Sequence, residues 1–384
     1  MMILLFLLVF LMQELVTVSS FTPQALVCKS KSHTHQLYAK RRGGAMANRK
    51  KKKQSSDTSD SKGFSQAIDE EQQASTTPAD NIYSLPPLYD LAFGYRNYDE
   101  EVDFLLDVHE KYSKTTNTEA EGINILELAA GPARHSLSAL SQHPPSEVSS
   151  MIALDLNKDM VIYGSENADY ELGIGGGRRD DFKYVKGDMR YATDYTTKIL
   201  DSAWLLLGSM QHLLTNEDII SCLSSLHSII KPGGTVIIEL PHPRETFCMG
   251  EMTKNGWCVP LEDDEEKEYG KLDIIWGDEN DVFDEINQIR NFTVGLSLTV
   301  NDVNDIPKDE DISPLFLQMS KDGKTSIKEI VPMRLFTLQE IDLLARCSGF
   351  DLVAKYGALS EDVAIDNEEE GYRMVCILRR RDSK

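Results

Sequence analysis

Four short segments carry residues whose types and spacing could do chemistry. The first, Glu127-Leu-Ala-Ala-Gly-Pro-Ala133, joins an acid to a turn of small residues. Small side chains at 129, 130, 131 and 133 let the backbone approach a bound molecule closely. The helix expected after it offers N-terminal amides suited to a carboxylate. Glu127 adds an acceptor for an ammonium group, so the segment suits a zwitterionic amino-acid tail. The second is Asp155, which can accept hydrogen bonds from both hydroxyls of a ribose; capping of the next helix is its alternative role. The third is Gly187-Asp188-Met189, where Asp188 can accept from an adenine amino group while Met189 packs on the ring; an ordinary turn is the alternative. The fourth is Leu207-Gly-Ser-Met-Gln-His212, which would line the floor between a nucleotide-like cofactor and a second reactant, with Met210 and Gln211 toward the latter.

These segments need elements that bring them to one edge. From residue 123 onward, apolar runs alternate with amphipathic stretches. Strands are expected at 123–128, 151–155, 182–186, 199–207 and 235–240, with helices at 134–141, 158–167 and 217–230 between them. Ile219, Ile220, Leu223, Leu226, Ile229 and Ile230 recur at helical spacing in the last of these. Strands separated by helices imply parallel crossovers and a doubly wound α/β sheet, in which ligands bind at the carboxyl ends of the strands where the winding reverses. All four segments fall at such ends. The pattern changes over 245–330, where short apolar runs (274–276, 292–298, 315–319) sit between acidic, Gly-rich turns, so a β-rich insertion is expected there. The run Gly173–Gly177 lacks the Lys-Ser/Thr ending of a phosphate loop and is expected to be a connector. Thr337 and Glu340 predict a capping box, and 350–356 and 372–379 predict two final strands, one of them antiparallel.

The chain has 384 residues, a formal charge of -22 and six scattered cysteines without metal-binding spacing. Ten of its 40 basic residues and none of its acids lie in 21–54, and Glu14 is the one acid before that, so 55–384 holds 30 basic and 61 acidic side chains. A net of -31 over that stretch repels phosphate backbones and argues against a nucleic-acid partner. Residues 1–20 carry an apolar run too short to span a bilayer, as a signal peptide does. The acid-free basic stretch 21–54 has transit-peptide composition, and 55–80 reads as a disordered linker. With Phe21 at the junction, this order resembles the bipartite plastid-targeting presequence of algae with secondary plastids, which implies a stromal mature protein without a membrane span. A secreted or a signal-anchored protein is the alternative.

A dinucleotide-binding fold would want G-x-G-x-x-G after the first strand; here Gly131 stands alone and an acid precedes the loop. The order Leu-Glu-Leu-Ala-Ala-Gly131, Ala-Leu-Asp155-Leu-Asn, Lys-Gly187-Asp-Met-Arg and Ser-Ile-Ile-Lys-Pro-Gly-Gly-Thr235 instead resembles class I S-adenosylmethionine-dependent methyltransferases. The segment Tyr89-Asp-Leu-Ala-Phe-Gly-Tyr95-Arg is similar to the N-terminal lid of their small-molecule branch, and coverage runs over about 83–381. The family has glycine at the positions of Ala129 and Ala133. The resemblance implies a Rossmann-like domain over 81–381, S-adenosyl-L-methionine as cofactor, and contacts from Tyr89, Tyr95, Glu127, Ala129, Gly131, Arg134, Asp155, Leu156, Met160, Gly187, Asp188, Met189, Leu207 and Gly208. It implies methyl transfer to nitrogen or oxygen of a small molecule. A protein methyltransferase and a non-catalytic cofactor-binding scaffold are the alternatives.

A hydroxyl or acidic carbon would need a general base, for which His212 and His242 stand at strand ends. Arg334 can bind a substrate carboxylate or pair with an acid of the insert. Trp257, Trp276 and Tyr356 can wall the acceptor pocket or form the insert's own core.

Overall fold

A computed structural model describes residues 81–115, 121–174, 177–247, 255–262, 267–302 and 324–382. The segments expected to be a presequence (1–54) and a linker (55–80), and the expected run at 315–319, lie outside the described residues. The strands are β1 (Ile123–Leu128), β2 (Val148–Asp155), β3 (Phe182–Lys186), β4 (Leu200–Leu205), β5 (Ile230–Pro241), β6 (Gly256–Glu262), β7 (Glu268–Trp276), β8 (Phe283–Asp284), β9 (Ile289–Val300), β10 (Lys324–Arg334), β11 (Phe350–Tyr356) and β12 (Arg373–Arg380). The helices are α1 (Pro86–Phe93), α2 (Tyr98–Tyr112), α3 (Arg134–Gln142), α4 (Lys158–Ala168), α5 (Asn216–Ile229), α6 (Pro243–Thr246) and α7 (Leu338–Cys347). None of them is long and apolar enough to cross a membrane.

Seven strands form the central sheet in the order β11-β12-β5-β4-β1-β2-β3. All are parallel except β12, which runs antiparallel to both β5 and β11. The winding reverses between β1 and β4, so the carboxyl ends of β1, β2 and β4 frame the crevice at the switch point. Helices cover both faces: α5 and α7 pack on one, α2 and α3 on the other. Thr337 caps α7 in the expected box, its side chain accepting from Glu340 N while the Glu340 carboxylate accepts from Thr337 N.

The insertion is a five-stranded antiparallel sheet, ordered β10-β9-β7-β6 with β8 beside β9. It runs past the expected border at 330 to Arg334. The runs 274–276 and 292–298 are the end of β7 and the middle of β9. The two edge strands, β6 and β10, had no such signal. Each contains a proline, Pro260 and Pro332, which edges tolerate because one side of the strand needs no ladder donors. The apolar face of this sheet packs on Ile82, Leu85, Leu88 and Ala92, the segment leading into and through α1. Strand β4 ends at Leu205 rather than at the expected 207, because Leu207 and Gly208 turn with φ of 57° and 78°.

Candidate cofactor and acceptor site

The turn after β1 is built from left-handed residues. Ala129, Gly131 and Ala133 have φ of 50°, 54° and 58°, so the two alanines occupy conformations that favour glycine. Gly131 is clamped on both sides: its N–H donates to Asp155 Oδ2 at 2.8 Å, and its carbonyl accepts from the Tyr184 hydroxyl. The other Asp155 oxygen accepts from Asn157 N at 2.8 Å. Asn157, not Asp155, caps α4. Burial raises the Asp155 pKa against these backbone hydrogen bonds. Beside it Leu156 stands 68% exposed, an apolar side chain left open at the strand end. Gly187 donates to Asp155 O at 2.8 Å, and a Cβ there would come within 2.6 Å of the Tyr195 ring. Asp188 caps the following turn and pairs with Arg190, whose hydrogen bond lowers its pKa. Met189 packs on the core.

The strain in the turn has a measurable consequence. Ala129→Gly is expected to raise stability by up to about 1 kcal/mol, whereas Ala130→Gly, next to it at ordinary φ, should lower it by about 1 kcal/mol. Both substitutions loosen the unfolded chain alike. Urea midpoints that shift in the same direction for both would refute the strain.

Beneath the turn lies a buried charge network that the sequence did not reveal. The Glu127 carboxylate accepts from Ser136 N at 3.1 Å, so it occupies one first-turn amide of α3 itself. His135 sits between two carboxylates, with Nε2 at 2.8 Å from Glu101 and Nδ1 at 3.5 Å from Glu127. Burial opposes its charge, yet these acids prevail and push its pKa up to about 9. Arg96 spans Glu101 and Glu239, at 3.0 and 3.2 Å. Glu239 of β5 is 1% exposed and also holds Arg373 at 2.8 Å and Leu207 N at 2.8 Å. Burial would raise the Glu239 pKa, but the two guanidiniums hold it down at about 2. A lone Glu inside the apolar run of β5 was the available signal.

His135 and His109 predict a stability maximum near pH 6.5, the ordinary value of an unfolded histidine. The native state holds the His135 proton up to about pH 9, so its contribution, up to about 3 kcal/mol, is complete below 6.5 and fades through 9. His109, buried against the Thr235 hydroxyl at 2.7 Å, is lowered to about 4, so acid favours the unfolded chain from 6.5 downward. Urea midpoints at several pH values check this, and His135→Gln should flatten the alkaline limb.

Above the strand ends runs an aromatic wall. Ring centroids lie 5.6 Å apart for Tyr83–Tyr89, 4.7 Å for Tyr89–Phe93, and 5.5 Å from Phe93 to both Trp257 and Trp276. Trp257 Nε1 donates to Ala92 O at 2.8 Å, pinning α1 to the insert. Tyr95 is exposed at its rim, 6.2 Å from Trp257. A Cβ on Gly131 would lie 3.9 Å from the Tyr89 ring, which places that ring over the turn. His212 is solvent-reachable, with Nε2 3.4 Å from the Tyr83 hydroxyl. Partial desolvation lowers its pKa, so it is neutral at pH 7. Met210 and Gln211 are buried, and Gln211 Nε2 donates to Arg334 O at 3.1 Å, joining the β4 exit to the insert.

Other expected residues are occupied elsewhere. Arg134 is buried and pairs with Asp90 and Glu171, tying α1 to α3. Met160 is 1% exposed, within the core. His242 accepts from Arg244 N at 3.0 Å through Nδ1 and donates through Nε2 to Ile365 O at 2.9 Å, so both ring nitrogens are engaged. Arg334 pairs with Glu340 at 3.3 Å, an acid of α7 rather than of the insert. Tyr356 ends the edge strand β11 and bonds Tyr112 at 2.7 Å, away from the aromatic wall and outside the insert's core. Among the described residues no group of three or more His, Cys, Asp or Glu could hold a metal ion.

No protein-family model and no curated protein sequence matches the chain. Solved structures do. A S-adenosylmethionine-dependent methyltransferase from Clostridium acetobutylicum is 13% identical, covering 78% of this chain and 98% of its own at a TM-score of 0.53. KedS8, a sugar N-methyltransferase from Streptoalloteichus, is 12% identical over 85% of this chain and 99% of its own, with a TM-score of 0.51. CalS10, an amino pentose methyltransferase from Micromonospora echinaspora solved with S-adenosylmethionine bound, is 13% identical over 74% and 92%, at 0.50. At these identities the likeness speaks to architecture: the mixed sheet, the reversal between β1 and β4, and the antiparallel insertion before α7. The chain therefore has the fold of class I S-adenosylmethionine-dependent methyltransferases.

Proposed function

We propose that the protein transfers a methyl group from S-adenosylmethionine to nitrogen or oxygen of a small molecule. The observation that carries this reading is the left-handed turn at the switch point, clamped by Asp155 through Gly131 N. When bound there, the cofactor supplies a methyl group already activated by its sulfonium. The protein's work is then to bind, orient and exclude water. Asp155 has lone pairs left for the ribose, exposed Leu156 offers an apolar surface to the adenine, and Asp188 an acceptor for its amino group. The aromatic wall from Tyr83 to Trp276 shields the strand ends. Neutral His212, with the Tyr83 hydroxyl beside it, can take a proton from the acceptor. That two structures of this fold act on an amino pentose and a sugar nitrogen favours a small acceptor over a protein.

Calorimetry on the full chain is expected to give a dissociation constant for S-adenosylmethionine within the span of ordinary enzyme KM values, about 1 μM–1 mM. With labelled donor and a cell extract, label should enter the small-molecule fraction. Absence of donor binding would remove the methyltransferase reading, and label on protein or RNA alone would remove the small acceptor.

A further inference from the structure

Arg96 and Glu239 have no part in the chemistry above, yet they connect its two halves. Arg96 belongs to the segment between α1 and α2, at the end of the aromatic wall. Its guanidinium reaches down to Glu239 at 3.2 Å while Nε stays on Glu101 at 3.0 Å. Glu239 then holds both N–H groups of the two left-handed residues after β4. Its side chain accepts from Leu207 N at 2.8 Å and its backbone carbonyl from Gly208 N at 3.0 Å. Leu207 has no glycine's freedom at φ 57°, so something must hold it there. The same turn passes to Gln211, which donates to the insert at Arg334 O. A single buried carboxylate thus receives the lid segment from above, the β4 turn from the side, and Arg373 of β12 as a third anchor.

We propose that Arg96 and Glu239 are positioning residues that set the turn 206–212 from the lid, so that lid docking and donor-side geometry depend on each other. The link rests on the proposed function only for its effect on donor affinity; the mechanical coupling stands or falls in the free protein. Arg96→Met removes the lid's half of the link and leaves Glu239 paired with Arg373, so the fold keeps its buried anion neutralised. Arg96→Lys restores a cation that can reach Glu239.

The test is amide hydrogen exchange on the full chain without ligand, followed by calorimetry with S-adenosylmethionine. In Arg96→Met, exchange should quicken about tenfold in peptides covering 94–97 and 206–212 while β1 and the core of β5 exchange as in the wild type. Donor affinity should weaken about tenfold, with Arg96→Lys recovering most of both. Unchanged exchange at 206–212 overturns the proposal. Faster exchange across the whole sheet overturns it too, since it marks a merely structural role. Local quickening in a protein that binds no donor would leave the coupling standing and remove the methyltransferase reading instead.

Discussion

Glu239→Gln is expected to lower the stability of the protein by about 3–5 kcal/mol, visible as a fall in the urea midpoint at pH 7 with the slope unchanged. The size follows from what is left behind. The amide still fits and can accept from Leu207 N, so packing is not the cause. Arg96 and Arg373, however, lose the anion they share at 3.2 and 2.8 Å, and the Arg96 side chain is only 10% exposed. Arg373 can turn toward water and Glu101 still holds Arg96, which keeps the loss near the lower end of the range. The wild-type advantage is fully present above about pH 4.5 and shrinks as the pH falls toward 2, where the native carboxylate takes up its proton. An exposed pair provides the control: Glu361→Gln, which breaks a contact to Lys111 at 2.6 Å in water, should leave the urea midpoint close to that of the wild type. If the two variants lose the same amount, Glu239 is not a buried hub.

Asp155→Ala carries the largest expected effect on binding. Its carboxylate clamps Gly131 and, on the function proposed above, also accepts from the ribose, so the variant would lose those contacts and the brace of the turn together. Two charge-assisted hydrogen bonds at about 1.5–3 kcal/mol each predict a weakening of S-adenosylmethionine binding of at least 100-fold. Asp155→Asn keeps one acceptor and should fall between the two. Calorimetry decides: a dissociation constant within threefold of wild type in the alanine variant would place the cofactor elsewhere.

The central sheet was legible because its evidence is repetitive. Most of its strands are largely apolar segments set off by helical periods, and the bounds of β1, β3 and β11 agree with the sequence reading. The edge strands of the insert were not legible, since an edge needs neither a continuous apolar run nor freedom from proline. The turn residues were found as small letters at strand ends, but their conformation was hidden. Ala129 and Ala133 read as departures from a glycine pattern, whereas the backbone keeps the glycine angles. Partnerships were the least visible. Arg134, His242 and Tyr356 have the right chemistry for a site. Only three-dimensional packing shows that Asp90, Ile365 and Tyr112 already engage them. Conversely, Glu239, Arg96 and Tyr83 are single letters whose meaning comes from neighbours far away in sequence.

The wall between α1 and the inserted sheet has a further consequence for how such a protein can diverge. The apolar core of the insert is completed by Ile82, Leu85, Leu88 and Ala92, and Trp257 is anchored to Ala92 across 165 positions of chain. The insert is contiguous, yet it is not a transplantable cassette. Grafted alone onto another protein of this fold, it would arrive with one side of its core bare. Residues 81–96 and the strands β6 to β10 form one heritable unit written in two places, and a lineage that changes the size of a ring in one must answer it in the other.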